Sequence, residues 1–330
     1  MKICILLGGA SPERNVSLSS GTAVGEALRK DGHEILYMDP ATPLNEMEAF
    51  RRGLDSISMD DTDFAAMAKL KDHYCIAQVE WLKKEGTDLV FNALHGGNGE
   101  NGVIAALLEM AGIPFTGSGY AASALAMDKY RSKLLAAGAG VLSAEYEIYG
   151  EAVEAPRRIG FPLVVKPNDA GSTVGLSIFH KPADLTDACK KALTFSKSLI
   201  IESYIPGREF NIPVVAGEVY PVLEVDAGGL YDFNAKYLGH DTKYLVPAPL
   251  PDDVTAGMQD RAMRMFRILG LRNYARVDFR MTPEGEIYLL EANSLPGMTA
   301  SSLVPKSAKA RGIGFPQLLQ IIIEDALHGS

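Results

Sequence analysis

The first 120 residues alternate between short apolar runs and longer helical patterns, and this alternation narrows the fold more than any other feature of the chain. KICILLGG at residues 2–9 reads as a strand, SLSSGTAVGEALRKDGH as a helix ending near Gly32, and EILYMD as a second strand. Helical patterns follow around residues 62–85. Then come TDLVFNAL as a strand, GVIAALLEMAG as a helix and IPFTG as a short strand. Strands that alternate with helices need crossover connections, which implies a parallel sheet covered on both faces. Gly8-Gly9 and Gly96-Gly97 follow two of these runs. They place loops at the carboxyl edge of the sheet, where open α/β folds bind ligands.

The character of the sequence changes near residue 118. ASALAMDKYRSKLLAAG is helical with a glycine stop, and FPLVVKP, VGLSIF and SLIIESYI read as strands of a smaller mixed unit. From about residue 208 the chain is strand-rich: FNIPVVAGEVYPVLEV, a Gly-rich loop near 228, YARVDFRM and EIYLLEAN. A helix over 255–269 ends at Gly270, and PQLLQIIIEDAL reads as a C-terminal helix. A length of 330 residues suits two or three domains. We divide the chain into 1–117, 118–205 and 206–330.

Composition excludes several function classes. Hydrophobic content of 47% and charged content of 22% are those of a globular chain able to build cores. A formal net charge of -9 argues against nucleic acid or an anionic membrane as partner, since both reward clustered Lys and Arg. No apolar run approaches the ~20 residues of a membrane span. The apolar start MKICILLGG is too short for a signal peptide and runs into SPER. The three cysteines, Cys4, Cys75 and Cys189, lie far apart without metal-type spacing, which fits a reduced, cytoplasmic setting.

The stretch YARVDFRM-TPEG-EIYLLEAN has the pattern of a β-hairpin turning at Thr282 to Gly285. If Met281 pairs with Glu286, Arg276 faces Glu291 and Asp278 lies diagonal to it. Side chains alternate faces with period two. Arg276, Asp278, Glu291 and Asn293 then share one face, and Val277, Phe279, Leu290 and Ala292 the other. A three-residue loop would break that parity. Two carboxylates and an amide oxygen suit a hard divalent cation that takes its remaining ligands from substrate phosphates. The alternative is an Arg276–Glu291 ion pair beside a solvated Asp278.

Phosphate binders are available elsewhere. In VVKPNDAGSTVGLSIF, Lys166 ends a strand, and Gly171 and Gly175 let backbone N–H groups approach an anion. A generic hairpin beside a lysine is the plainer alternative. Lys129 in MDKYRSK is a second candidate, against the alternative of a solvated lysine at a helix start. Glu202 and Glu209 in LIIESYIPGREF flank an extended edge suited to an adenine amine and ribose hydroxyls, or are simply loop carboxylates. Neither a P-loop nor GxGxxG is present.

These pieces, in this order, resemble the ATP-grasp superfamily and, within it, the D-alanine–D-alanine ligase family. The matching segments are GGASPERNVSLSSG, ALHGGNGENG, PFTGSGYAASALAMDKYRSK, VVKPNDAGSTVG, AKY, RVD and LLEANSLPGMTASSLVP, spread over residues 8–305. The resemblance implies a three-domain α/β ATP-grasp architecture with an N-terminal doubly wound, Rossmann-like sheet, and ATP held between the central and C-terminal domains. It implies ligation of two D-alanines for peptidoglycan precursors with release of ADP and phosphate, by a cytoplasmic homodimer. It also implies Mg²⁺ or Mn²⁺, two ions, on Asp278, Glu291 and Asn293.

The same resemblance implies further roles. Lys129 and Lys166 grip the phosphates, while Glu202, Tyr204, Ile205 and Glu209 line the adenosine site. Glu13 binds the first substrate's ammonium; its plainer alternative is an exposed loop acid. Arg276 and the backbone N–H of Gly297 stabilise the oxyanion, and Lys236 and Ser302 hold the second substrate's carboxylate. His95 lies near the reacting groups, against the alternative of a buried, hydrogen-bonded strand-end histidine. Tyr237 closes over the site on a mobile loop and meets Ser172, which reaches Glu13.

Three positions depart from the family pattern: Asn101 and Asn15 stand where acids are usual, and Thr173 where serine is usual. A nicotinamide enzyme, a non-catalytic nucleotide-binding regulator and the D-lactate or D-serine ligases are the rivals. The first lacks its glycine fingerprint, and the second would tolerate loss of metal ligands that are all present.

Overall fold

The computed structural model describes residues 1–54, 70–72, 75–171, 173–226 and 242–328. In the first unit β1 (Lys2–Leu6), β2 (Glu34–Met38) and β3 (Leu89–Asn92) form a parallel sheet in the order β2-β1-β3. IPFTG adds a single bridge, Val90 to Phe115, rather than a strand. Period-two alternation sorts β1 cleanly. Ile3 and Ile5, with Leu7 beyond the strand, enter one buried cluster, while Cys4 and Leu6 enter another. The second cluster includes Leu82 and Leu108, from helices Cys75–Lys84 and Val103–Ala111. The first combines Leu18, Val24 and Leu28 of helix Arg14–Lys30 with Leu318, Leu319, Ile322 and Ile323 of helix Phe315–His328. The far end of the chain thus closes the first sheet, which periodicity along one segment cannot show.

The stretch expected as one helix after residue 118 is two, Tyr120–Met127 and Lys129–Gly138. Asp128 breaks them: its backbone is extended and its carboxylate accepts from Arg131 N, a helix N-cap. β4 (Tyr146–Tyr149), β5 (Leu163–Pro167), β6 (Ser177–Phe179) and β7 (Leu199–Ser203) form an antiparallel sheet in the order β4-β7-β5-β6. Leu163, Val165, Leu199 and Ile201 pack on helix Thr186–Leu193 through Cys189 and Ala192. Alternation therefore turns Val164, Lys166 and Glu202 to the other face.

β8 (Arg208–Val215), β9 (Glu218–Val219), β10 (Leu223–Asp226), β11 (Lys243–Leu245), β12 (Tyr274–Met281) and β13 (Ile287–Asn293) build the largest sheet, ordered β11-β10-β8-β12-β13 with β9 on β8. Phe210, Ile212, Val277 and Phe279 bury against Met258, Ala262 and Met265 of helix Asp252–Ile268. Asn273, in the left-handed region at φ 63°, fixes this sheet to the rest. Its amide accepts from Gly117 N and donates to Ile322 O and Asp325, each at 2.8 Å. Asparagine is among the few non-glycine residues that tolerate that backbone. Helix Leu303–Ala310 packs beside the sheet, and no described helix is long and apolar enough to cross a membrane.

Candidate active site

The β12–β13 hairpin has a different register from the expected one. Arg276 pairs with Asn293 and Asp278 with Glu291; the register then shifts, and Phe279 pairs with Leu289 and Met281 with Ile287. The loop spans 282–286, an odd number of residues that would invert the faces. Leu290 is the extra residue of a β-bulge that inverts them back. Arg276, Asp278, Glu291 and Asn293 therefore share one face, as expected, though Arg276 does not stand opposite Glu291. Leu290, expected on the opposite face, instead lines a cavity with Asp278 and Glu291.

Asp278 is buried, 4% exposed, which rules out the solvated carboxylate considered above. The Arg276 guanidinium forks it through two 2.7 Å hydrogen bonds. Lys129 Nζ lies 3.4 Å from Glu291 Oε2 and donates to Ala170 O at 2.6 Å. At 7% exposure, Lys129 is no solvated helix-start lysine. Tyr130 N bonds Asn168 Oδ1 (2.9 Å) and Lys129 N bonds Asn168 O (3.0 Å), so the helix start is sewn to the loop after β5.

Lys166 on β5 and Glu202 on β7 are diagonal neighbours on one sheet face, with Nζ 2.8 Å from Oε2. Glu202 is a buried strand residue rather than a loop carboxylate. Lys133 comes to its other oxygen at 3.1 Å. Burial opposes ionisation of Glu202, yet Lys133 and Lys166 outweigh it and hold the carboxyl down to about 2. Glu209 on β8 pairs directly with Arg280 on β12. The Arg280 guanidinium lies 5.6 Å from the Tyr204 ring centre.

Two cavities meet at this face. The smaller, about 110 Å³, is walled by Lys166, Glu202, Tyr204, Ile205, Glu209 and Arg280. The larger, about 310 Å³, is walled by Glu13, His95, Gly171, Asn293, Gly297 and Ser302. Lys129, Arg276 and Glu291 border both. The site is thus a slot of mixed charged and apolar walls, the latter including Val164, Leu176 and Ile178, opening beside a second chamber.

The chamber is built from loop ends. Glu13, only 7% exposed, immediately precedes helix Arg14–Lys30; its N–H donates to Ser11 Oγ (3.1 Å), which donates to His95 O (2.5 Å). It is not the exposed loop acid considered above. Gly96 has φ 66°, and a Cβ there would sit 2.8 Å from Glu13 Oε2. His95 Nε2 is 3.1 Å from Ser20 Oγ, and Nδ1 is 3.6 Å from Glu100 Oε1. It is buried and hydrogen-bonded, and it also borders the chamber. Across from it, Ser302 Oγ accepts from Thr299 N at 3.0 Å, and a Cβ on Gly297 would lie 3.1 Å from that same oxygen. Glycine at 297 leaves room beside the Ser302 hydroxyl. Ser172, Lys236 and Tyr237 lie outside the described residues.

The family model described as D-ala D-ala ligase N-terminus matches residues 2–118, and D-ala D-ala ligase C-terminus matches residues 142–324. The D-alanine–D-alanine ligase B of Chromobacterium violaceum is 39% identical over 99% of this chain and 98% of its own. The chain belongs to the D-alanine–D-alanine ligase family. Among solved structures, the Bacillus anthracis D-alanine–D-alanine ligase complexed with ATP superimposes with a TM-score of 0.76 at 29% identity, covering 99% of this chain and 97% of that one. The VanG D-Ala:D-Ser ligase of Enterococcus faecalis gives 0.76 at 26% identity, covering 98% and 99%. The ATP-grasp fold of the family is therefore the fold of this chain.

Sequence reasoning missed several residues of this ligase-family site. Lys133 lies four positions after Lys129, on the same helix face, so 3.6-residue spacing carried the signal. Arg280 continues the alternation of Arg276 and Asp278. Leu290 had no signal, because a bulge is not written in period-two patterning.

Proposed function

We propose that the chain ligates two D-alanines to D-alanyl-D-alanine with ATP, through a D-alanyl phosphate. One observation carries this reading. A carboxylate pair, Asp278 opposite Glu291, is matched by two cations, Arg276 and Lys129, where a slot lined by Lys166, Glu202 and Glu209 meets a chamber containing Glu13. Such a junction suits transfer of a phosphoryl group from one compartment to a carboxylate in the other.

The donor chemistry fits a divalent cation. Among the described residues no group of three or more His, Cys, Asp or Glu side chains forms a closed cage. Asp278, Glu291 and the Asn293 amide oxygen form an open, oxygen-only set. In this structure cationic side chains lie against its carboxylates, as a metal's charge would. Asn293 Oδ1 accepts from Leu295 N at 2.9 Å and keeps a second lone pair. These residues would hold Mg²⁺ or Mn²⁺, two ions in our reading, supplying charge neutralisation between the phosphates.

Glu202 and Glu209 take the adenine amine and ribose hydroxyls beside Tyr204 and Ile205, and Lys129 and Lys166 take the phosphates. Glu13 takes the first D-alanine's ammonium, which leaves its carboxylate facing the slot. A carboxylate oxygen attacks the γ-phosphorus as the bond to ADP breaks, giving the acyl phosphate. The second amine, its molecule held through Ser302 and Lys236, attacks the acyl carbon; the acyl C–O bond breaks, and the leaving phosphate takes the electron pair and the amine's proton. Arg276 and the Gly297 N–H stabilise the intervening oxyanion. His95, tied to Ser20 and Glu100, stands at the chamber wall. Ser172 and Tyr237, outside the described residues, are in our reading the groups that limit water attack on the acyl phosphate.

Division at 117 and 205 separates the chamber's first wall from the two walls of the slot. The three free, buried cysteines support a cytoplasmic setting. Exposed Ile76, Val103 and Met110, on neighbouring helices of the first unit, support a homodimer. Phosphate release from ATP with D-alanine, L-alanine or no amino acid tests the function. Release that needs D-alanine and a divalent cation supports it, and equal release with L-alanine defeats it.

A further inference from the structure

Two buried lysines converge on one carboxylate. Lys133, 1% exposed, lies on helix Lys129–Gly138, and Lys166, 9% exposed, on β5; both point at Glu202 on β7. A purely structural ion pair needs one cation, and a second buried charge adds a desolvation cost. The excess positive charge therefore anticipates an anion. Lys166 borders the smaller cavity and is placed to meet it, whereas Lys133 borders neither cavity. Lys133 Nζ sits 3.1 Å from Glu202 Oε1, and both atoms are enclosed by protein. A carboxylate offers about four lone-pair sites, so Glu202 keeps acceptor capacity beyond its two lysines, and it lines the cavity.

We propose that Lys133 is a positioning residue for nucleotide recognition: it is the standing counter-ion that keeps Glu202 an acceptor for the exocyclic amine of adenine while Lys166 serves the phosphates. The assignment rests on the smaller cavity being the nucleotide site. An ionised carboxylate accepts but cannot donate, so it welcomes the amine of adenine and refuses the carbonyl of guanine. If Lys166 turns toward phosphate, a Glu202 without Lys133 would be a buried, unpaired carboxylate and would take up a proton. The groups facing Glu202 are Lys133 from the helix, Lys166 from β5 and Tyr146, its direct partner on β4, while Lys129 acts on Lys133. The Tyr146 ring lies 5.8 Å from Lys133 Nζ.

The test is nucleotide affinity of the purified chain, read by calorimetry with ATP, GTP and inorganic tripolyphosphate as probes. Lys133→Met should weaken ATP by about tenfold or more, the worth of one hydrogen bond to a charged group. It should leave tripolyphosphate nearly unchanged and narrow the preference for ATP over GTP. ATP affinity should also fall from about pH 8 to about pH 6 in the variant more than in the parent, as Glu202 gains a proton. Lys133→Arg should recover ATP affinity and its flat pH response. If Lys133→Met does not fold, Lys133→Gln carries the same comparison: it keeps a donor without the charge, and the pH response must appear. Unchanged ATP affinity and nucleotide preference in a less stable variant would show a structural lysine and overturn the proposal. Absence of D-alanine-dependent phosphate release in the parent chain would instead defeat the ligase reading, and the affinity comparison would still decide Lys133.

Discussion

Asp278 and Glu291 stand directly opposite one another across β12 and β13, two like charges in a position where opposite charges are the stabilising choice. Each has a cation against it: Arg276 forks Asp278 at 2.7 Å, and Lys129 approaches Glu291 at 3.4 Å. Repulsion kept in place by nearby cations is expected of a site that exchanges those cations for a metal and phosphates.

Glu291→Gln relieves the repulsion and removes a metal-binding charge. We expect kcat to fall by roughly 10²-fold or more, as for loss of one preorganised electrostatic contact. Unfolding free energy should change by less than about 1 kcal/mol, the scale of a cross-strand pair. The check is kcat per folded molecule beside thermal unfolding. Collapse of stability with normal residual activity would make Glu291 structural.

Arg276→Lys keeps the charge and loses the fork. A lysine supplies a point charge where the planar guanidinium makes two parallel bonds to Asp278. Turnover should drop about tenfold or more, with a smaller change in ATP affinity, because the oxyanion contact is made in the transition state. Separate measurement of kcat and of the KM for ATP decides it.

Gly96→Ala strains the chamber. The residue sits at φ 66°, and the new Cβ would lie 2.8 Å from Glu13 Oε2. With ψ at 177° this backbone is essentially glycine-only and costs another residue roughly 1–3 kcal/mol, and displacement of Glu13 should raise the KM for the first D-alanine with little effect on ATP affinity. A stable variant with an unchanged D-alanine KM would remove Glu13 from the substrate site.

Glu202→Gln should alter the acid limb of stability. Although burial disfavours its charge, Lys133 and Lys166 hold the folded-state value near 2, below the ordinary 4.5. The stabilisation is therefore present above about 4.5 and drains away as pH falls toward 2. The parent's advantage over Glu202→Gln should be steady between about pH 5 and pH 8 and shrink below that window. Unfolding midpoints across the range provide the check; a constant difference down to the lowest pH would contradict the ion triad.

The sequence showed as much of this as periodicity and pairing can show. Alternating runs announced the parallel sheet, and the shared face of Arg276, Asp278, Glu291 and Asn293 was legible from parity alone. The register was not, because an odd loop and the Leu290 bulge cancel one another and leave the faces unchanged. The helix break at Asp128 was legible in retrospect as an N-cap, yet the apolar pattern ran straight across it. Contacts between distant segments were silent: helix Phe315–His328 covering the first sheet, and Asn273 joining Gly117 to Ile322 and Asp325. The charges around Glu202 fell between these cases. Lys166 showed itself as a strand-end cation, while Lys133 hid as one more helix lysine.

The most direct measurement is product analysis by mass spectrometry with ATP, a divalent cation and D-alanine, in the presence of equal D-lactate and D-serine, alongside phosphate release. The account predicts D-alanyl-D-alanine as the main product at neutral pH, with phosphate and dipeptide formed in step. Predominant depsipeptide or D-alanyl-D-serine, or phosphate released without dipeptide, would contradict it.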